Sequence, residues 1–142
     1  GWPELADKQA LNLIPIILNR LSSKNPVEVF GDDYPTADGS CVRDYIHVMD
    51  LARAHIQAVD HLGKPGHEIY NVGTGSGSSV FEVVNEIKRI SGLDFEVKLS
   101  GRRPGDPPKL IASSEKIKSD FGWEAEYGLP EIIESAWSSR EL

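Results

Sequence analysis

Short apolar runs closed by turn residues alternate along this chain with stretches whose apolar positions fall three and four apart. Residues 14–21 read as a helix, with Pro15 tolerated in its first turn because that N–H needs no partner. Residues 27–30 form a short strand closed by Gly31, and residues 32–40 hold Asp, Pro and Gly at turn-forming density. Residues 42–48 read as a strand. Asp50 is the expected N-cap of a helix carrying Leu51, Ala54, Ala58 and Leu62 on one face, ended by Gly63-Lys64-Pro65-Gly66. Residues 68–72 are an apolar strand, followed by a glycine-rich turn over 73–77. Ser78 or Ser79 then caps a helix with Val80, Val83, Val84, Ile87 and Ile90 inward, stopped by Gly92. Residues 95–99 alternate as a strand, and residues 101–108 form a proline-stiffened loop. Ser113 or Ser114 opens another helix ended by Gly122, and a last helix from near Pro130 turns Ile132, Ile133, Ala136 and Trp137 inward. Strand and helix alternate through the middle, which predicts an α/β layering with some parallel pairing.

The 142 residues suit one domain with a sizeable core. A formal net charge of −7 argues against general nucleic-acid binding, which needs a basic face. A single cysteine, Cys41, excludes an internal disulfide and fits a reducing compartment. The longest aliphatic run, residues 13–18, is interrupted by proline and too short to span a bilayer. With no signal-peptide pattern at the start, a cytoplasmic location without membrane partners is expected.

Four segments are candidates for chemistry. Arg102-Arg103-Pro104-Gly105-Asp106 offers guanidinium forks that match phosphate oxygens, on a loop whose prolines reduce the entropy lost on ordering. Asp106 is a candidate acceptor for sugar hydroxyls, although two adjacent arginines taken alone are most often a solvated turn. In Arg43-Asp44-Tyr45, strand alternation puts Arg43 and Tyr45 on one face, where Arg43 can reach a diphosphate, and Asp44 on the other, where it anchors backbone. The turn at 73–77 misses the Gly-x-Gly-x-x-Gly spacing, since Ser78 stands where the third glycine belongs, so it reads as structural. Asn12, just before a helix, is a cap or an anion contact. His47, His55, His61 and His67 lack a metal-ligand spacing, Cys41 has no catalytic partner nearby in sequence, and Trp2, Trp123 and Trp137 read as packing residues.

Taken in order, Asn12-Leu13-Ile14-Pro15, Val29-Phe30-Gly31-Asp32-Asp33-Tyr34-Pro35-Thr36, Asp38-Gly39, Val42-Arg43-Asp44-Tyr45-Ile46-His47-Val48, Asp50-Leu51-Ala52, Tyr70-Asn71-Val72-Gly73, Arg102-Arg103-Pro104-Gly105-Asp106 and Ala112-Ser113-Ser114 closely resemble the C-terminal part of UDP-glucose 4-epimerases. These belong to the extended short-chain dehydrogenase/reductase family, and the resemblance covers nearly the whole chain. It implies a Rossmann-like α/β fold, a UDP-sugar substrate, and roles for individual residues. Asn12 and Leu13 would contact the diphosphate, Phe30 would flank the uracil, and Arg43 and Arg103 would bind phosphates. Asp106 would hold the ribose, and Leu110 would lie near C2 of the sugar. Leucine there is intermediate between a bulky residue that excludes an N-acetyl group and a small one that admits it, so UDP-glucose and UDP-galactose are preferred and UDP-N-acetylhexosamine stays open.

The resemblance also implies bound NAD and a Tyr-x-x-x-Lys pair. The residues four after Tyr34, Tyr45, Tyr70 and Tyr127 are Asp38, Met49, Thr74 and Glu131, so this chain has no such pair, nor a dinucleotide glycine motif. The expectation is a C-terminal UDP-sugar-binding portion spanning 1–142, inactive alone and binding no NAD itself, whose partner is an N-terminal NAD-binding half. Elements near 42–91 would join that half's sheet, and uncovered they would favour self-association. The competing readings are a related nucleotide-sugar 4-epimerase or dehydratase, acting for example on UDP-pentose, and a non-catalytic nucleotide-sugar-binding module.

Overall fold

A computed structural model describes residues 11–61, 63 and 66–140; the expectations placed on Trp2, Leu62, Lys64 and Pro65 lie outside the described residues. Helix α1 (Leu13–Ser22) follows Asn12, which has an extended backbone and whose side chain makes no capping hydrogen bond. Its buried stripe is Ile14, Ile17 and Leu18. Strand β1 (Val27–Phe30) comes next, with Val27 and Val29 buried and Glu28 and Phe30 on its other face.

After the turn-rich segment 31–41, the strand expected over 42–48 shrinks to β2 (Val42–Arg43). From Asp44 onward the chain leaves the ladder, because the Asp44 carboxylate is held by backbone elsewhere and His47 turns the chain into α2 (Val48–Asp60). His47, not Asp50, is the N-cap: its Nδ1 accepts from the Met49 N–H at 3.1 Å. Asp50 instead sits fully buried in the first turn. The segment 68–72 forms no ladder, and Ile69 is 73% exposed, because among the described residues no neighbouring strand pairs with it.

The remaining elements are β3 (Ser78–Ser79), α3 (Val80–Ser91), β4 (Val97–Ser100), β5 (Lys109–Leu110), α4 (Glu115–Phe121) and α5 (Leu129–Ser139). Ser79 caps α3 by accepting from the Glu82 N–H at 3.0 Å, while the Glu82 carboxylate accepts from the Ser79 N–H at 2.7 Å. Gly92 ends that helix in the left-handed region, as the sequence predicts. Ser114 precedes α4 without capping it; its hydroxyl donates to the Gly73 carbonyl at 2.7 Å.

Strand β1 pairs in parallel with β4, Val27 opposite Val97, and β4 starts two residues later than the strand expected over 95–99. A second sheet has the order β3-β2-β5, antiparallel on the β3 side and parallel on the β5 side. The main core joins α1, β1, α3 and α5 through Ile14, Ile17, Leu18, Val27, Val29, Val83, Val84, Ile87, Ile132 and Ile133. A smaller cluster centres on Ala54, Ile117 and Trp123. Helix α2 therefore buries only part of its apolar surface. Ala54 faces inward, whereas Met49, Ala52, Ile56 and Val59, spaced three, four and three apart, form a second, exposed stripe.

Candidate functional site

Between α1 and the open ends of β1 and β2 lies a cleft of about 320 Å³. Helix α1 contributes Leu13, Ile16 and Arg20, which share a stripe beside its buried one. Strand β1 contributes Glu28 and Phe30 from its non-core face, and Arg43 and Tyr45 come from the chain at and after β2. The loop over 101–108 closes the cleft with Arg103 and Asp106.

The charges inside are arranged unequally. Arg43 pairs with Asp106, and its other terminal nitrogen donates to the Val42 carbonyl at 2.7 Å. Arg20 reaches Glu28 at 3.4 Å, and Glu28 also accepts from the Ser100 hydroxyl at 2.6 Å. Arg103 has no carboxylate partner among the described residues; its guanidinium carbon stands 3.9 Å from the centre of the Phe30 ring. A guanidinium stacked on an aromatic face keeps its edge N–H groups free for an anion.

The structure thus brings five of the seven residues singled out from the sequence, Leu13, Phe30, Arg43, Arg103 and Asp106, into one cleft. Asn12 and Leu110 stand outside its lining. Asn12 adjoins it at the start of α1, and Leu110, 62% exposed on β5, is the register partner of Arg43. Arg20, Glu28 and Cys41 line the cleft without having been singled out. For the first two the signal was present: Arg20 continues the Leu13–Ile16 helical spacing, and Glu28 shares strand parity with Phe30. Cys41 carries no such pattern.

Asp44 behaves as alternation predicts. Its carboxylate accepts from the Thr74 N–H at 2.9 Å, the Thr74 hydroxyl at 2.6 Å, the Gly75 N–H at 3.0 Å and the Ala112 N–H at 3.2 Å. The Thr74 and Gly75 amides of the glycine-rich turn are therefore already taken by Asp44 and are not free to cradle a phosphate. Gly73 is packed against Asp44 and Ala112 so closely that a Cβ there would overlap both.

Burial pushes the Tyr45 phenol up to about 12, against the opposing pull of the Arg43 charge. The unfolded phenol ionises near its ordinary value of about 10, so the folded state holds the proton more tightly above that pH. Stability is expected to be flat in this respect below pH ~10 and to fall between about 10 and 12. Urea unfolding of the native chain and Tyr45→Phe across that range checks this: the variant should show the shallower decline, and parallel declines would refute it.

The parallel β1-β4 pair and the mixed β3-β2-β5 sheet, with helices packed on them, have the Rossmann-like α/β architecture of nucleotide-sugar epimerases. The chain belongs to the family described as GDP-mannose 4,6 dehydratase, which matches residues 6–136. It is 48% identical over 130 residues to a UDP-glucose 4-epimerase of Halalkalibacterium halodurans, covering 89% of this chain and 39% of that protein. It is 45% identical over 131 residues to the Arabidopsis thaliana bifunctional UDP-glucose 4-epimerase and UDP-xylose 4-epimerase 3, covering 89% of this chain and 37% of that one. Among solved structures, the UDP-glucose 4-epimerase of Bifidobacterium longum in complex with NAD+ and UDP superposes with a TM-score of 0.82 at 40% identity, over 88% of this chain and 38% of that one. The chain spans about two fifths of the length of these relatives. Among the described residues no helix is long and apolar enough to cross a membrane.

Proposed function

We propose that this chain forms the UDP-sugar-binding portion of an NAD-dependent UDP-glucose 4-epimerase. The observation that carries the reading is Arg103, free of a carboxylate partner among the described residues and stacked on Phe30, with Arg43 across the same cleft. In this reading the uracil lies against Phe30, and Arg43 and Arg103 take the diphosphate with help from Asn12 and the backbone at Leu13. Asp106 exchanges its bond to Arg43 for the ribose hydroxyls when the phosphates arrive. Leu110, beside Arg43 in register, stands next to C2 of the sugar, where its intermediate size favours a hexose without an N-acetyl group. NAD and the groups that act on the sugar's 4-hydroxyl belong to a part of the enzyme outside this chain, which by itself is inactive. The Arabidopsis relative's second activity, on UDP-xylose, favours a UDP-pentose as the alternative substrate.

Titration with UDP, UDP-glucose and UMP tests the diphosphate assignment. UMP, lacking one phosphate, should bind at least about tenfold more weakly than UDP, the worth of one charge-assisted hydrogen bond. Equal affinities for UMP and UDP would remove Arg43 and Arg103 from that role.

The exposed apolar residues Val48, Met49, Ile56, Val59 and Ile69, at 53–73% exposure, mark the surface that the NAD-binding half covers in this reading. The isolated chain is expected to pair through it. Sedimentation velocity should show a concentration-dependent dimer that Ile56→Glu with Val59→Glu converts to monomer; a native chain that stays monomeric at high concentration would contradict the assignment.

A further inference from the structure

We infer that Arg102 is a positioning residue for the cleft: it anchors the loop that carries Arg103 and Asp106 without touching the ligand itself. The inference rests on the nucleotide reading above only for what the cleft holds. The two adjacent arginines diverge. Arg103 lies over Phe30, at the end of β1, whereas Arg102 lies over Tyr34, its guanidinium carbon 4.4 Å from that ring's centre. Arg102 is absent from the cleft lining. Its Nε donates to the Asp33 carboxylate at 2.7 Å, and a terminal nitrogen donates to the Asp33 carbonyl. A fork of this kind fixes direction as well as distance, which an ammonium on a flexible stem does not.

What it grips is itself fixed. Tyr34 is only 5% exposed, and its N–H donates to the Gly39 carbonyl at 2.8 Å. Gly31, whose N–H donates to the Ser100 carbonyl at 2.8 Å, has φ +81°, and a Cβ there would overlap the Tyr34 ring. From this fixed point the loop runs through Arg103 and turns at Gly105, closed by the Asp106 N–H donating to the Arg103 carbonyl at 3.2 Å. That turn returns Asp106 to Arg43. The Asp33–Arg102 contact is thus the far attachment of a loop whose near attachment, Arg43–Asp106, is the one a ligand must open. When that pair exchanges, Arg103 keeps its stack on Phe30, and the Arg102–Asp33 contact still ties the loop to the 31–34 turn.

Hydrogen–deuterium exchange of the ligand-free chain tests this without any nucleotide. In Arg102→Ala, exchange over residues 103–106 should rise by about tenfold while the core helices stay protected. Asp33→Asn should raise it in the same segment, and Arg102→Lys should not restore protection. UDP affinity of Arg102→Ala should fall about fivefold with its salt dependence unchanged, whereas Arg103→Ala lowers both affinity and salt dependence. Unchanged exchange over 103–106, full rescue by lysine, or a salt dependence reduced as in Arg103→Ala would overturn the inference. If UDP fails to bind the native chain while exchange still rises in Arg102→Ala, the nucleotide reading falls and the anchoring role stands.

Discussion

Replacing Asp50 with alanine should lower the unfolding free energy by about 3–5 kcal/mol, because two backbone amides lose the acceptor they share, at about 1–3 kcal/mol each. Asp50 is fully buried, and its carboxylate accepts from the Glu126 N–H and the Tyr127 N–H, each at 3.1 Å, and from Arg53 at 2.7 Å. Those two amides lie on the segment between α4 and α5 and have no other acceptor among the described residues, so truncation strands them, while Arg53 keeps the Glu124 carbonyl at 2.9 Å and the Glu126 carboxylate. For a chain of this size the melting temperature should drop by roughly 10–20 °C. Asp50→Asn keeps an acceptor but turns an NH₂ toward the other donors, and should fall between. Urea unfolding measures all three; a loss under about 1 kcal/mol for Asp50→Ala would show that water replaces the carboxylate.

The second large effect is on binding. Arg43→Ala and Arg103→Ala should each weaken UDP by about 10- to 100-fold, the equivalent of a charge-assisted hydrogen bond at a partly buried site. Arg43→Ala should lie at the larger end, because it leaves the Asp106 carboxylate unneutralised beside the incoming phosphates. Both variants should melt with the native chain, since neither side chain belongs to either apolar cluster. Losses below about threefold in both would place the phosphates elsewhere.

Much of this arrangement was legible before the coordinates. The helices at 13–22, 80–91, 115–121 and 129–139 follow from three-and-four spacing bounded by Ser79, Gly92 and Gly122, signals that act locally. Arg43 and Asp44 part as strand alternation predicts, Arg43 into the cleft and Asp44 onto backbone, although the strand itself ends at Arg43. The cleft itself was not derivable from spacing. It joins α1, β1, β2 and the distant loop over 101–108, and only the resemblance to the epimerases grouped those residues. The errors cluster where no partner for an element stands among the described residues. Residues 44–48 and 68–72 read as strands because their side chains suit a sheet, yet strand pairing needs a neighbour, and among the described residues none is offered. Asp50 has the chemistry of a cap, but the two amides of the 126–127 segment claim it, and that competition runs between positions far apart in sequence.

The most direct measurement is calorimetric titration of this chain with UDP at low and high salt. The account predicts saturable binding that weakens as salt screens the two guanidiniums. A folded chain that shows no saturable heat with UDP up to about millimolar concentration would contradict it.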